Sequence, residues 1–152
     1  MTIDLSPWRR PDELVNAIWE ARRNDRRDLL NHIAQLLSHS SPTVREEAAS
    51  LVFLKWGDLT HREQLLAMTT SDPDARVRAR TAGILSLTPE TQDGSNELRL
   101  LRDIVLNRRE EDVVRKSAYE GLARLVKGEV VALDDEVDID EDLDLDWVQR
   151  LS

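Results

Sequence analysis

The sequence predicts an all-α chain built from stacked helix pairs, and three observations carry that expectation. Hydrophobic residues make up 40% of the 152 positions but aromatics only 4%, so the core is one of Leu, Val, Ala and Ile. Five Gly and five Pro are too few for a loop-rich all-β chain. Apolar residues fall at helical spacing in seven successive stretches, and in three of them the same short pattern returns.

The elements follow in order. Pro11-Asp12-Glu13 opens the first helix, because proline fits the first helical position and acids favour the positive end of the dipole. Leu14, Val15, Ile18 and Trp19 give it an apolar face, and Asn24-Asp25 breaks it. A second helix runs from about Arg26 to Ser38 on Leu29, Leu30, Ile33, Leu36 and Leu37. Ser41-Pro42 is a cap with a first-turn proline, and Gly57 stops the third helix after Trp56. Thr60-His61-Arg62-Glu63 has the form of a capping box for the fourth. Asp72-Pro73 repeats the cap-plus-proline signal and opens the fifth, to about Leu87. After the polar loop Pro89 to Gly94, Ser95 begins the sixth, striped with Leu98, Leu101, Ile104 and Val105. Glu110-Glu111-Asp112 places acids in the first turn of the seventh, which ends at Gly128.

Internal repetition separates a solenoid from a plain bundle. Val44-Arg45, Val77-Arg78 and Val114-Arg115 stand at the starts of the third, fifth and seventh helices. Four residues after each valine come Ala48, Thr81 and Ala118; seven after, Leu51, Ile84 and Gly121; eight after, Val52, Leu85 and Leu122. Valine and the later aliphatic form one buried stripe, and the small residue between them admits a neighbouring helix. One pair cannot bury such a face alone, whereas stacked pairs can. The stretches Ser41-Pro42-Thr43-Val44-Arg45-Glu46-Glu47-Ala48, Asp72-Pro73-Asp74-Ala75-Arg76-Val77-Arg78 and Asp112-Val113-Val114-Arg115-Lys116-Ser117-Ala118 resemble the HEAT repeat family, including its short bacterial members. The resemblance covers roughly residues 26–128. The third copy lacks the proline, and the second has Thr81 where alanine is usual. It implies a right-handed α-solenoid of about three HEAT-like helix pairs, with the first helix as an N-terminal cap and an acidic C-terminal tail. The domain division expected is 1–128 for the solenoid and 129–152 for the tail.

Charge divides the chain in the same way. The net charge is -9, and residues 129–152 hold ten of the 30 acids but one of the 21 bases, Arg150. The other 128 residues are balanced, so bulk acidity is a property of one segment. It argues against a general nucleic-acid or anionic-membrane binder. The absence of cysteine excludes disulfides and thiolate chemistry. No basic, apolar leader opens the sequence, and no apolar run approaches the roughly 18 residues of a membrane span; a cytoplasmic protein is expected.

No catalytic signature emerges. His32, His39 and His61 have no second ligand at metal spacing on one helical face, and there is no phosphate loop or nucleophile elbow. The tail's spaced aspartates lack the glycine of a calcium loop, since Leu143 follows Asp142. No cofactor, no metal and no catalytic residue is expected. The repeated Arg45, Arg78 and Arg115 could form an anion ladder, but in HEAT-like repeats such an arginine pairs with a turn acid, and the acids around Asp72 and Asp112 suit that structural role. Trp19 and Trp56 could line a pocket or pack under a cap.

Two candidate surfaces remain. The resemblance places the second helix of each pair on the concave face, where Glu47, Arg76, Arg80, Lys116, Glu120 and Arg124 form a mixed-charge set. The tail alternates acids with aliphatics: Asp138, Asp140, Asp142, Asp144 and Asp146 steer, while Leu143, Leu145 and Trp147 anchor, with Val137 and Ile139. Three states are open to it: a solvated tail, a ligand for a basic partner, or a segment folded back on Arg76, Arg80, Lys116 and Arg124. The expected function is a non-catalytic protein-binding module for a basic partner protein, in its concrete form a bacterial immunity or inhibitor protein that occludes a basic toxin, a nucleic-acid-cleaving one being one such case. The alternatives are an adaptor or assembly factor using the concave face, or a HEAT-like lyase subunit or DNA glycosylase-like nucleic-acid binder. The last would need a basic, aromatic-lined groove that Tyr119 and Phe53 scarcely supply.

Overall fold

The computed structural model describes residues 2–90 and 92–152. The described residues contain no strand. Their helices are α1 (Pro11–Arg23), α2 (Leu30–Gln35), α3 (Pro42–Ala49), α4 (Arg62–Ser71), α5 (Ala75–Leu87), α6 (Ser95–Leu106), α7 (Asp112–Leu122), α8 (Ile139–Asp142) and α9 (Leu145–Gln149). All seven helices read from the sequence are present, and two short ones in the acidic segment were not anticipated.

The architecture is an α-solenoid. α3, α5 and α7 stack side by side as one layer, and α4 and α6 pack against α5 and α7 as the other. The repeated pattern explains this layering. Val44, Val77 and Val114, the small residues Ala48, Thr81 and Ala118, and the aliphatics Val52, Leu85 and Leu122 are all fully buried. Thr81 fits an alanine position because its hydroxyl turns back to the carbonyls of Val77 and Arg78, at 3.0 and 3.1 Å, as a buried helical threonine must. Gly121 is the closest approach: a Cβ there would lie 3.0 Å from Ser86 Cβ and 3.1 Å from Leu101 Cδ1.

Helix ends hold most of the local departures. α1 stops where Asp25 takes φ of 46°, a conformation short polar side chains tolerate. The second element is not one regular helix: 3-10 turns at Arg27–Leu29 and Leu36–Ser38 flank α2. α3 and α7 each run on into a π-helical turn, Ser50–Lys55 and Ala123–Lys127. Gly57 and Gly128 then end them at φ of 63° and 65°, and the next amides close back six residues, Asp58 to Val52 and Glu129 to Ala123.

Two caps differ from expectation. Thr60 does not form a capping box; Asp58 accepts from the His61 amide (3.0 Å) and the Thr60 hydroxyl (2.8 Å), because the Gly57 turn swings its carboxylate over the helix start. Asp72 does not cap α5. Its carboxylate is taken by Arg45, so Asp74 caps instead, accepting from Arg76 and Val77, and the helix begins at Ala75.

Candidate functional site: the arginine ladder, the groove and the acidic end

The three repeated arginines are structural. Arg45 donates Nε and Nη2 to the two oxygens of Asp72, at 2.9 and 2.7 Å. Arg78 grips Glu110 in the same way, at 3.1 and 2.8 Å. Each also donates Nη1 to the turn before its own helix: Arg45 to His39 and Ser40, Arg78 to Asp72. Thus each arginine ties its helix to the acid that precedes the next stacked helix, a bidentate geometry lysine cannot copy. Arg115 differs. Its nearest Asp112 oxygen is 3.9 Å away; its fork closes on Asp140 at 3.0 and 3.3 Å, and its Nε donates to Val105. The Arg78 guanidinium holds Glu110 below the usual carboxylate range, and Arg115, with Arg108 beyond it, does the same for Asp140.

Residues 129–152 lie folded on the solenoid, the third of the states open to them, although not on the arginines expected. Lys116 donates to the carbonyls of Asp134 and Asp135 (2.9 and 3.3 Å), and the Leu133 amide donates to Glu120 (2.7 Å). Farther on, Arg102 donates to the Leu151 carbonyl (2.6 Å). Arg76, Arg80 and Arg124 make none of these contacts. α8 packs on α7 and α9 on α6.

From Asp138 to Val148, acids and aliphatics separate by side, while Val130 in the lead-in stands exposed. Ile139 and Val148 are buried, Leu143, Leu145 and Trp147 are partly buried against the α6–α7 core, and every acid is exposed. Trp147 meets the Tyr119 ring edge-on at 5.8 Å, with Lys127 Nζ 4.1 Å from its centroid. Burial pushes the Tyr119 phenol up, and the nearby Asp144 charge adds to it. Several acids serve as caps: Asp138 accepts from the amides of Asp140 and Glu141, Asp142 accepts from Asp138, and Asp144 accepts from Trp147. Period-two alternation therefore encodes two short capped helices here.

The other candidate surface is a groove of about 470 Å³ between α5 and α7, opening beside α3. It brings together Arg76, Arg80, Lys116 and Glu120 from the mixed-charge set, adds Glu46 and Asp112, and takes Leu133 and Asp135 of the acidic segment as one wall. Arg76 and Arg80 are exposed; Arg80 reaches Ser50 Oγ at 3.3 Å. Glu47 and Arg124 lie outside it, Glu47 accepting from Trp19 Nε1 (2.9 Å) and Arg124 donating to Ser86. Trp56 likewise donates its indole N–H, to Asp25 at 3.0 Å.

Sequence reasoning missed one buried ion pair. Arg62 and Glu97 join α4 to α6, and Arg62 also donates to the Thr88 carbonyl (2.7 Å). Nothing repeats at either position, so no pattern marked it. His39 accepts from the Ser41 amide at Nδ1 and turns Nε2 to the Pro7 carbonyl, which ties the N-terminal residues to the first turn of α3. Among the described residues, no helix is long and apolar enough to cross a membrane.

Stacked pairs with a shared valine–arginine register and a continuous core define a helical-repeat scaffold. A family model for HEAT repeats matches residues 30–123, and the chain belongs to the HEAT repeat family. HEAT repeats generally mediate protein–protein interaction, and the family is typically a non-catalytic scaffold. Neither the curated proteins nor the solved structures returned a match.

Proposed function

We propose that this chain is a cytoplasmic, non-catalytic module that binds a protein with a basic surface through its acidic end. One observation carries the reading: residues 138–148 turn their aliphatics inward, and every acid of the segment 129–152 faces outward. The charge is presented on an ordered surface, where it can steer a cationic partner and fix its orientation. Asp138, Asp142, Asp144 and Asp146 form the partner-facing set, with Asp140 shared with Arg115. Leu143, Leu145 and Trp147 enter an interface only where the segment opens. The specific form is an immunity or inhibitor protein that occludes a basic toxin.

The groove supports a second reading, an adaptor that holds a partner on Arg76, Arg80, Lys116 and Glu120. Arg76 and Arg80 lie one helical turn apart on an exposed face.

The two are separated in the full chain. Asp→Asn at 138, 142, 144 and 146 removes charge but keeps oxygen acceptors for the caps. Affinity capture at two ionic strengths compares it with an Arg76→Ala, Arg80→Ala variant. Loss of a high-pI partner and of its salt dependence in the Asn variant alone is expected. Unchanged capture there refutes the acidic-end reading, and loss in the Ala variant supports the adaptor. A toxin-like reading frame beside the gene would favour the immunity form.

A further inference from the structure

The arginine ladder has three rungs of unequal burial, each a two-pronged arginine–carboxylate pair; Arg45 and Arg78 grip through Nε and Nη2, Arg115 through Nη1 and Nη2. The acid side chains are 4% exposed at Asp72, 14% at Glu110 and 40% at Asp140, while the arginines stay between 3% and 14%. The first two acids come from the turn that precedes the next stacked helix. The third comes from the first turn of α8, which touches α7 over a much smaller contact than the one between α7 and α5. α9 covers α6. Two helices of four and five residues thus occupy the face a further helix pair would cover.

They are far too short to persist without tertiary support. Their covalent lead-in, residues 129–137, contains no helix, and the surrounding acids repel one another. Their hold is local: the Arg115–Asp140 fork, Val148 and Ile139 buried, Leu143 and Leu145 on the α6–α7 core, Trp147 on Tyr119, and Arg102 on the Leu151 carbonyl.

We propose that residues 138–149 form a latch that stands in for the next repeat: Asp140 pairs with Arg115 at the ladder position where Asp72 pairs with Arg45, though on the Nη1–Nη2 edge of the guanidinium, and the segment opens as a unit while the solenoid stays folded. Opening exposes the α6–α7 face around Leu101, Val105 and Leu122. The latch operates with or without a basic partner.

Amide hydrogen exchange on the full chain tests this. Asp140→Asn weakens the fork, Asp140→Glu keeps the charge, and Asp146→Asn makes the same charge change at an exposed acid outside the ladder. Local opening should show as exchange within 139–149 rising about tenfold or more in D140N, with α1–α5 unchanged. D146N should stay within about twofold of the parent, and D140E should fall between. Equal effects of D140N and D146N would overturn the latch. So would exchange rising uniformly along the chain in D140N, since the segment would then unfold only with the whole solenoid.

Discussion

Arg45 and Asp72 face each other across the α3–α5 step with both side chains almost fully enclosed, at 2.7 and 2.9 Å. Removing one charge from such a pair strands the other in a poorly solvated place. Asp72→Asn should therefore destabilise the chain by on the order of 3 kcal/mol. Glu110→Gln should cost clearly less, because Arg78 and Glu110 are more open to water. Chemical denaturation of the two single variants gives the order; equal costs would show that burial of the rung does not set its weight.

The same stacking makes opposite predictions for two helical glycines. At Gly121 an added methyl meets Ser86 and Leu101 at about the limit of real contacts. Overpacking of about 1–3 kcal/mol should outweigh the helix-propensity gain of up to about 1 kcal/mol. At Gly83 the nearest atom is Ser117 Oγ at 3.7 Å, an ordinary contact, so Gly83→Ala should be neutral or stabilising by about 0.5–1 kcal/mol. Thermal melts suffice. A destabilised G83A would mean that α5 and α7 approach more closely than this.

Acid should loosen the two more exposed rungs of the ladder. Glu110 and Asp140 ionise more readily when folded, each held down by its arginine, from ordinary values of 4.5 and 3.8. A depressed folded value means that the stabilisation is fully present above the ordinary value and is lost as pH falls through the folded one. Urea midpoints should therefore change little on this account from pH 7 to about 5 and drop below about pH 4.5. Glu110→Gln should flatten that drop. An unchanged acid slope in E110Q would remove the Arg78 rung from the explanation.

Much of this was legible because a solenoid writes its packing locally. Val44, Val77 and Val114 recur at one helical position, and each burial follows from that spacing. That the arginines pair with turn acids was legible from the family resemblance, with the acids around Asp72 as candidates; the structure pairs Asp72 with Arg45. Asp140 was not legible. It lies 25 residues beyond Arg115 in a stretch whose acids look interchangeable, and only the fold shows which one meets a buried guanidinium. Alternation misled for a related reason. Asp138 and Asp144 at caps, with Ile139 and Val148 pointing inward, give the same string as a solvated acidic strip. Arg62 and Glu97 were invisible because an ion pair that does not repeat leaves no period.

The ring contact between Tyr119 and Trp147 can be measured directly. Both rings sit where α9 meets the solenoid, edge to face at 5.8 Å and 76°. Leucine at either position keeps an apolar, smaller side chain and removes the quadrupole geometry; the cycle cancels the separate cost of each lost ring. A double-mutant cycle on Tyr119→Leu and Trp147→Leu should return a coupling of about 0.5–1.5 kcal/mol. Lys127→Ala should cost about 0.5–1 kcal/mol in the parent and nothing in the Trp147→Leu background, because its ammonium acts on that ring. If Lys127→Ala costs the same in both, the lysine contributes to the general charge balance and not to the Trp147 contact. A coupling near zero between Tyr119 and Trp147 would leave the aliphatic packing of Ile139, Leu143, Leu145 and Val148, with the Arg115–Asp140 fork and the Arg102–Leu151 hydrogen bond, to hold α8 and α9 in place.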